Sequence, residues 1–142
     1  MVPINYLGVL LAAIISMVTG FLWYGPVFGK VWMKEMGWTK EKPPKDMPDS
    51  GQMGKLYALQ ALGSLAMAFV LSHALVFAQS YLNTEGISAG LQTGFWNWLG
   101  FIAPVSLGSV LWEGKSWKLW TINNAYYLTS LILMGITLSF FN

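Results

Sequence analysis

The chain has 142 residues, of which 55% are hydrophobic, 15% aromatic and only 10% charged, far below the roughly 25% charged residues of an average soluble domain. This is the composition of a membrane protein, and it excludes several chemistries at once: no cysteine means no disulfide, thiolate nucleophile or thiolate metal site, and a single histidine makes no His-rich metal site. All eight basic residues are lysine, so no guanidinium fork can clamp a phosphate or carboxylate, and a net charge of +2 gives no footprint for nucleic acid.

Four intervals carry no charge: Met1 to Gly29, Leu56 to Thr84, Gly86 to Trp112 and Leu119 to Asn142, with 29, 29, 27 and 24 residues. About 20 apolar residues at 1.5 Å rise cover a hydrocarbon core of about 30 Å, so each interval is long enough to span. The expected fold is therefore an all-α membrane protein, a four-helix bundle of transmembrane helices with a short interfacial helix after the first. Expected boundaries are about 4–24, 55–81, 87–111 and 117–140, in one domain covering 1–142.

Helix 1 carries Gly8, Ala12, Ser16 and Gly20 at a strict four-residue spacing. Small residues in such a ladder let two helix backbones approach, so this stripe is the expected packing face. Met1 to Tyr6 has no basic side chain, and the helix is expected to be retained as a span, not cleaved as a signal peptide. At its far end Trp23, Tyr24, Lys30 and Trp32 surround Pro26, combining aromatic belt, cationic anchor and helix breaker at one membrane boundary. The connection 27–54 follows. Within it Phe28, Val31, Trp32 and Met36 recur at helical spacing and predict the interfacial helix, whereas the proline-rich, charged stretch 40–51 predicts a solvated loop.

Helix 2 places Gln60 and Ser64 on a small polar face, with His73 deeper along it. Helix 3 starts with Gly86, Gly90 and Gly94, carries Thr93 and Asn97, and contains Pro104, which predicts a kink near its middle. Trp112 ends it, and Trp117 and Trp120 open helix 4 as further interface anchors. Asn123 and Asn124 lie one to two turns inside. Bare amides in hydrocarbon cost several kcal/mol, so they must find partners, and Asn123 is expected to be the inward one because Tyr127 continues its face. Their expected neighbours are Gln60 or Ser64 of helix 2, together with Thr19 or Gly20 of helix 1.

All eight lysines fall in the first and third connections, whereas the second carries only Glu85. The positive-inside rule then puts those two connections in the cytoplasm and both termini on the noncytoplasmic side. LWYGPVFGKVWMKEMG at the exit of helix 1, together with WEGKSWKLWTINNAYYLTSLILMG, resembles the bacterial membrane-protein family catalogued as domain of unknown function 1761. The resemblance covers nearly the whole chain and implies a small integral protein of the bacterial cytoplasmic membrane with about four spans. It carries over no activity, cofactor or catalytic residue.

No catalytic constellation, metal ligand set or cofactor site is readable. His73 is the sole intramembrane group titrating near neutral pH, with either a proton or ligand role or a plain structural hydrogen bond. Thr19, Gln60, Ser64, Thr93, Asn97, Asn123 and Asn124 either glue helices or line a cavity. The favoured reading is a structural or interaction protein, an accessory subunit or homo-oligomer whose partners are the lipid bilayer and other membrane chains. The alternative is a small transporter or binder of an amphipathic molecule between the helices, and a lined cavity would favour it.

Overall fold

The computed structural model describes residues 3–39 and 49–141. Their regular structure is entirely helical. Helix α1, Tyr6–Leu22, is capped by Asn5, whose side chain accepts from the amides of Leu7 and Gly8 at 3.0 and 3.1 Å. Pro26 then widens the helix into a π-turn over Trp23–Val27. Proline has no N–H to return four residues back, and the Phe28 amide instead reaches five back, to the Trp23 carbonyl at 2.8 Å. Gly29 follows because a Cβ there would stand 2.5 Å from the Tyr24 carbonyl oxygen, and α2, Gly29–Glu35, begins from it. Of the loop expected at 40–51, residues 40–48 lie outside the described ones.

Helix α3 runs over Ser50–Leu82. It starts earlier than the charge pattern suggests because Asp49 and Gln52 form a reciprocal capping box, at 2.8 and 3.2 Å. Asn83, with φ 49°, ends it in the left-handed conformation. Helix α4, Gly86–Asn97, passes into a second π-turn, Trp98–Ile102, ahead of Pro104. The short helices α5, Ala103–Ser106, and α6, Gly108–Leu111, complete that limb. Helix α7, Trp117–Ser139, is capped by Ser116, which accepts from the Leu119 amide at 3.1 Å.

Three helical stretches are long and apolar enough to cross a membrane: Tyr6–Val27, Gly51–Leu82 and Gly86–Leu111. Helix α7, expected as a fourth span, is not among them. Its Asn123 and Asn124 lower its mean hydropathy, yet it is the central strut, burying Ile122, Asn124, Tyr126, Ser130, Leu131, Met134, Gly135 and Leu138 against α1 and α4. The least apolar long helix is thus shielded by the others.

The core gathers Val9, Ala12 and Ala13 of α1, Ala68, Leu71 and Leu75 of α3, Ala89 of α4, and Leu131, Met134 and Leu138 of α7. All of these lie in the half of the bundle nearer the Glu85 turn. In the other half, the stretch 51–63 of α3 has no buried residue. Helix α3 therefore packs along its second half and stands away from α1 and α7 along its first.

Candidate functional site

That divergence leaves a cleft of about 970 Å³ between α1, α3 and α7, at the upper end of the usual range of about 300–1,000 Å³ for ligand pockets. One wall is the end of α1, with Met17, Phe21 and Tyr24; the opposite wall is α3, with Tyr57, Gln60 and Met67. Tyr126, Tyr127 and Ser130 of α7 form the floor. None of the lining side chains carries a charge at neutral pH.

The polar groups divide into spent and unspent ones. Tyr24 donates its hydroxyl to Asn123 Oδ1 at 3.0 Å, and Ser130 Oγ bonds Ser16 Oγ at 2.9 Å. The Tyr126 hydroxyl reaches the Ser16 carbonyl at a long 3.5 Å. By contrast Tyr57 is 57% exposed, Tyr127 is 36% exposed, and Gln60 is exposed too; none of the three has a side-chain hydrogen bond to another of the described residues.

The Trp-Tyr-Gly-Pro segment builds the wall by docking onto α7. Trp23 Nε1 donates to the Ile122 carbonyl at 3.1 Å, and Tyr24 packs edge-on against both Tyr126 and Trp32. Trp23 and Tyr24, expected from sequence as membrane-interface anchors, pack toward the bundle. Trp120 also turns inward, whereas Trp112 and Trp117 are 86% and 59% exposed and Lys30 is exposed. Helix α2 is tied down at its end: Ser116 Oγ donates to Glu35 Oε2 at 2.6 Å, and Lys118 Nζ lies 3.5 Å from Oε1. The Ser116 hydroxyl, and then the Lys118 charge, hold the Glu35 carboxyl below the usual carboxylate range.

The two asparagines exchange the roles expected of them. Asn124, 3% exposed, is the buried amide. Its Nδ2 donates to Ser106 Oγ at 2.9 Å and to the Trp120 carbonyl at 3.1 Å, while Trp120 Nε1 donates to the same Ser106 oxygen at 3.0 Å. Ser106 in turn donates to the Ala103 carbonyl at 3.0 Å. Asn123 is half-buried at the edge of the cleft with Tyr24. The partners are therefore α5 for Asn124 and the Trp23–Val27 π-turn for Asn123, not Gln60, Ser64 or Thr19; Thr19 bonds the Ile15 carbonyl of its own helix at 2.7 Å.

His73 stands outside the cleft. Its Nδ1 lies 2.8 Å from the Phe69 carbonyl, which places the ring proton on that nitrogen, and the ring meets Phe69 edge-on. Asn97 donates to the Thr93 carbonyl at 2.9 Å, while the hydroxyls of Ser64, Ser72 and Thr93 are buried without a hydrogen-bond partner. Gly8, Ala12 and Ser16 are buried, and Gly20 lies against the Tyr126 hydroxyl, so this stripe runs along α7 and its end at Phe141.

The tyrosine cluster is what sequence reasoning missed. Tyrosines near helix ends read as membrane-belt residues, and the pairing of Tyr57 with Gln60, three positions on, was the signal that one helix face carries both. Comparison with curated proteins and with solved structures finds no match. Residues 7–139 match the profile described as Protein of unknown function (DUF1761), and the chain belongs to that family.

Proposed function

We propose that this is a membrane-embedded binding protein that holds an uncharged amphipathic molecule in the cleft between α1, α3 and α7. The observation that carries this reading is the cleft itself: about 970 Å³, mostly apolar, with a few hydrogen-bonding groups and no charge. A charged head would pay heavily to enter, since nothing in the lining neutralises it.

Gly63 gives a clean test because a side chain there meets nothing within 4 Å and would project into open cleft. Native mass spectrometry of the full chain should find an uncharged lipid retained by the wild type and lost from Gly63→Trp, with the helical circular dichroism unchanged. Equal retention by both proteins would count against the cleft as the binding site. The interaction role favoured from the sequence keeps one supporting observation, the unpacked first half of α3 with Leu56, Leu59 and Leu62 half or more exposed. A dimer mass that disappears in Gly63→Trp would favour that role instead.

In this reading α7 also crosses the bilayer, its amides covered by α1 and the α4–α5 limb, giving four spans. The lysines place the α2 end in the cytoplasm and both termini opposite. The chain has no cysteine, so single-cysteine labelling is unambiguous. Lys115→Cys should react with an impermeant maleimide from the cytoplasm and Glu85→Cys from the other face; reaction of both from one face would reject four spans.

A further inference from the structure

The lining chemistry specifies more than "uncharged". We propose that the head group bound in the cleft is a planar ring bearing carbonyl acceptors, the chemistry of a prenylated quinone, with its apolar tail leaving sideways into lipid between α1 and α3. This rests on the cleft being a binding site. The first argument is the inventory of unspent hydrogen bonds. Tyr57 and Tyr127 each offer a hydroxyl and Gln60 offers an amide, and none is engaged among the described residues, whereas Tyr24 has spent its own on Asn123. Donors left unpaired around an apolar space are costly, and three of them on one cleft call for a ligand that supplies acceptors from more than one direction. Two carbonyls on one ring do so without adding a charge.

The second argument is the walls. The aromatic residues Phe21, Tyr24 and Tyr126 and the thioether-bearing Met17 and Met67 line the space. Rings and polarizable sulfur favour contact with a flat π-system over a bundle of saturated chains. Gly25 and Gly63 border the same space, and neither has a neighbouring atom within 4 Å of where a Cβ would sit, so backbone, not side chain, sets the width there.

The test uses the purified full chain in detergent with two uncharged probes: a short-chain prenylated benzoquinone, and 1,2-dioctanoylglycerol, which has ester acceptors but no ring. The quinone should raise the melting temperature saturably and the glycerolipid should not. Replacing the donors together, as Tyr57→Phe, Gln60→Leu and Tyr127→Phe, should weaken quinone binding about tenfold or more, the loss of one net hydrogen bond. Undiminished quinone affinity in that variant overturns the proposal. An equal shift with dioctanoylglycerol, abolished by Gly63→Trp, overturns the ring requirement and leaves the cleft standing as a lipid site. A quinone shift that survives Gly63→Trp locates binding elsewhere and overturns the proposal. If neither probe shifts the wild type and native mass spectrometry finds no lipid that Gly63→Trp loses, the ring and the cleft reading fall together.

Discussion

Gly90→Ala should destabilise the protein by about 1–3 kcal/mol, although the same substitution in an ordinary helix interior stabilises by about 1 kcal/mol. The reversal comes from the crossing of α4 and α7. A Cβ on Gly90 would collide with the Gly135 carbonyl, one on Gly135 would collide with the Gly90 carbonyl, and one on Gly94 would stand 2.5 Å from the Leu131 carbonyl oxygen and 2.9 Å from Ile132 Cα. These are backbone atoms and cannot rotate aside as a side chain would. Relief requires the helices to separate, which removes the close van der Waals packing that holds helices together where no hydrophobic drive acts between them. Gly63→Ala is the matched control, since it meets nothing within 4 Å and should leave stability unchanged or slightly raised. Thermal unfolding in detergent reads both. A melting temperature for Gly90→Ala at or above wild type would mean that α4 and α7 are not held at this distance. The pair Gly90→Ala and Gly135→Ala should also be non-additive, because either one alone already forces the helices apart.

That crossing shows where the sequence was legible and where it was not. Gly86, Gly90 and Gly94 are visible in the sequence at four-residue spacing, but beside Pro104 they do not announce a packing face as the ladder of helix 1 does. Both helices lie on α7, yet α7 offers a lone Gly135 opposite the glycine pair, and a single glycine shows no periodicity in its own helix. Helical class and the apolar stretches followed from charge distribution, because a lysine or glutamate cannot enter hydrocarbon unpaired. The cleft did not follow, because it arises from α3 diverging over 51–63, and a polar residue such as Gln60 reads equally as helix glue and as cavity lining. The Trp-Tyr-Gly-Pro run stands out in the sequence as a helix end, but its docking on α7 does not, because only the π-turn at Pro26 brings Trp23 onto the Ile122 carbonyl.

Asn124→Leu should cost about 1–3 kcal/mol and Asn123→Leu less than about 1 kcal/mol, the opposite of what Tyr127 on the face of Asn123 suggests. What decides which amide is inward is the opposing helix: Leu119, four residues before Asn123, is buried too, but only the Asn124 face meets Ser106. Trp120, four residues before Asn124, joins its indole and carbonyl to the same knot around Ser106. Removing the Asn124 amide takes two donated bonds from a group that is 3% exposed. A single interhelical contact in a membrane protein averages about 0.6 kcal/mol, so loss of contacts alone sets the lower end of the range, and the apolar branch forced against Ser106 Oγ raises it. Asn123 gives up one bond, and its partner Tyr24 sits at the edge of the cleft where another acceptor can replace it. Ser106→Ala sharpens the comparison. It strands Trp120 Nε1 and one of the two Asn124 Nδ2 protons together, and it should lower the melting temperature by an amount comparable to that of Asn124→Leu. In the double variant the two losses should overlap, because both remove the same Asn124–Ser106 bond. Melting temperatures of the four proteins decide the matter: if Asn123→Leu proves as damaging as Asn124→Leu, the knot on Ser106 is not what holds α7 to the kinked limb.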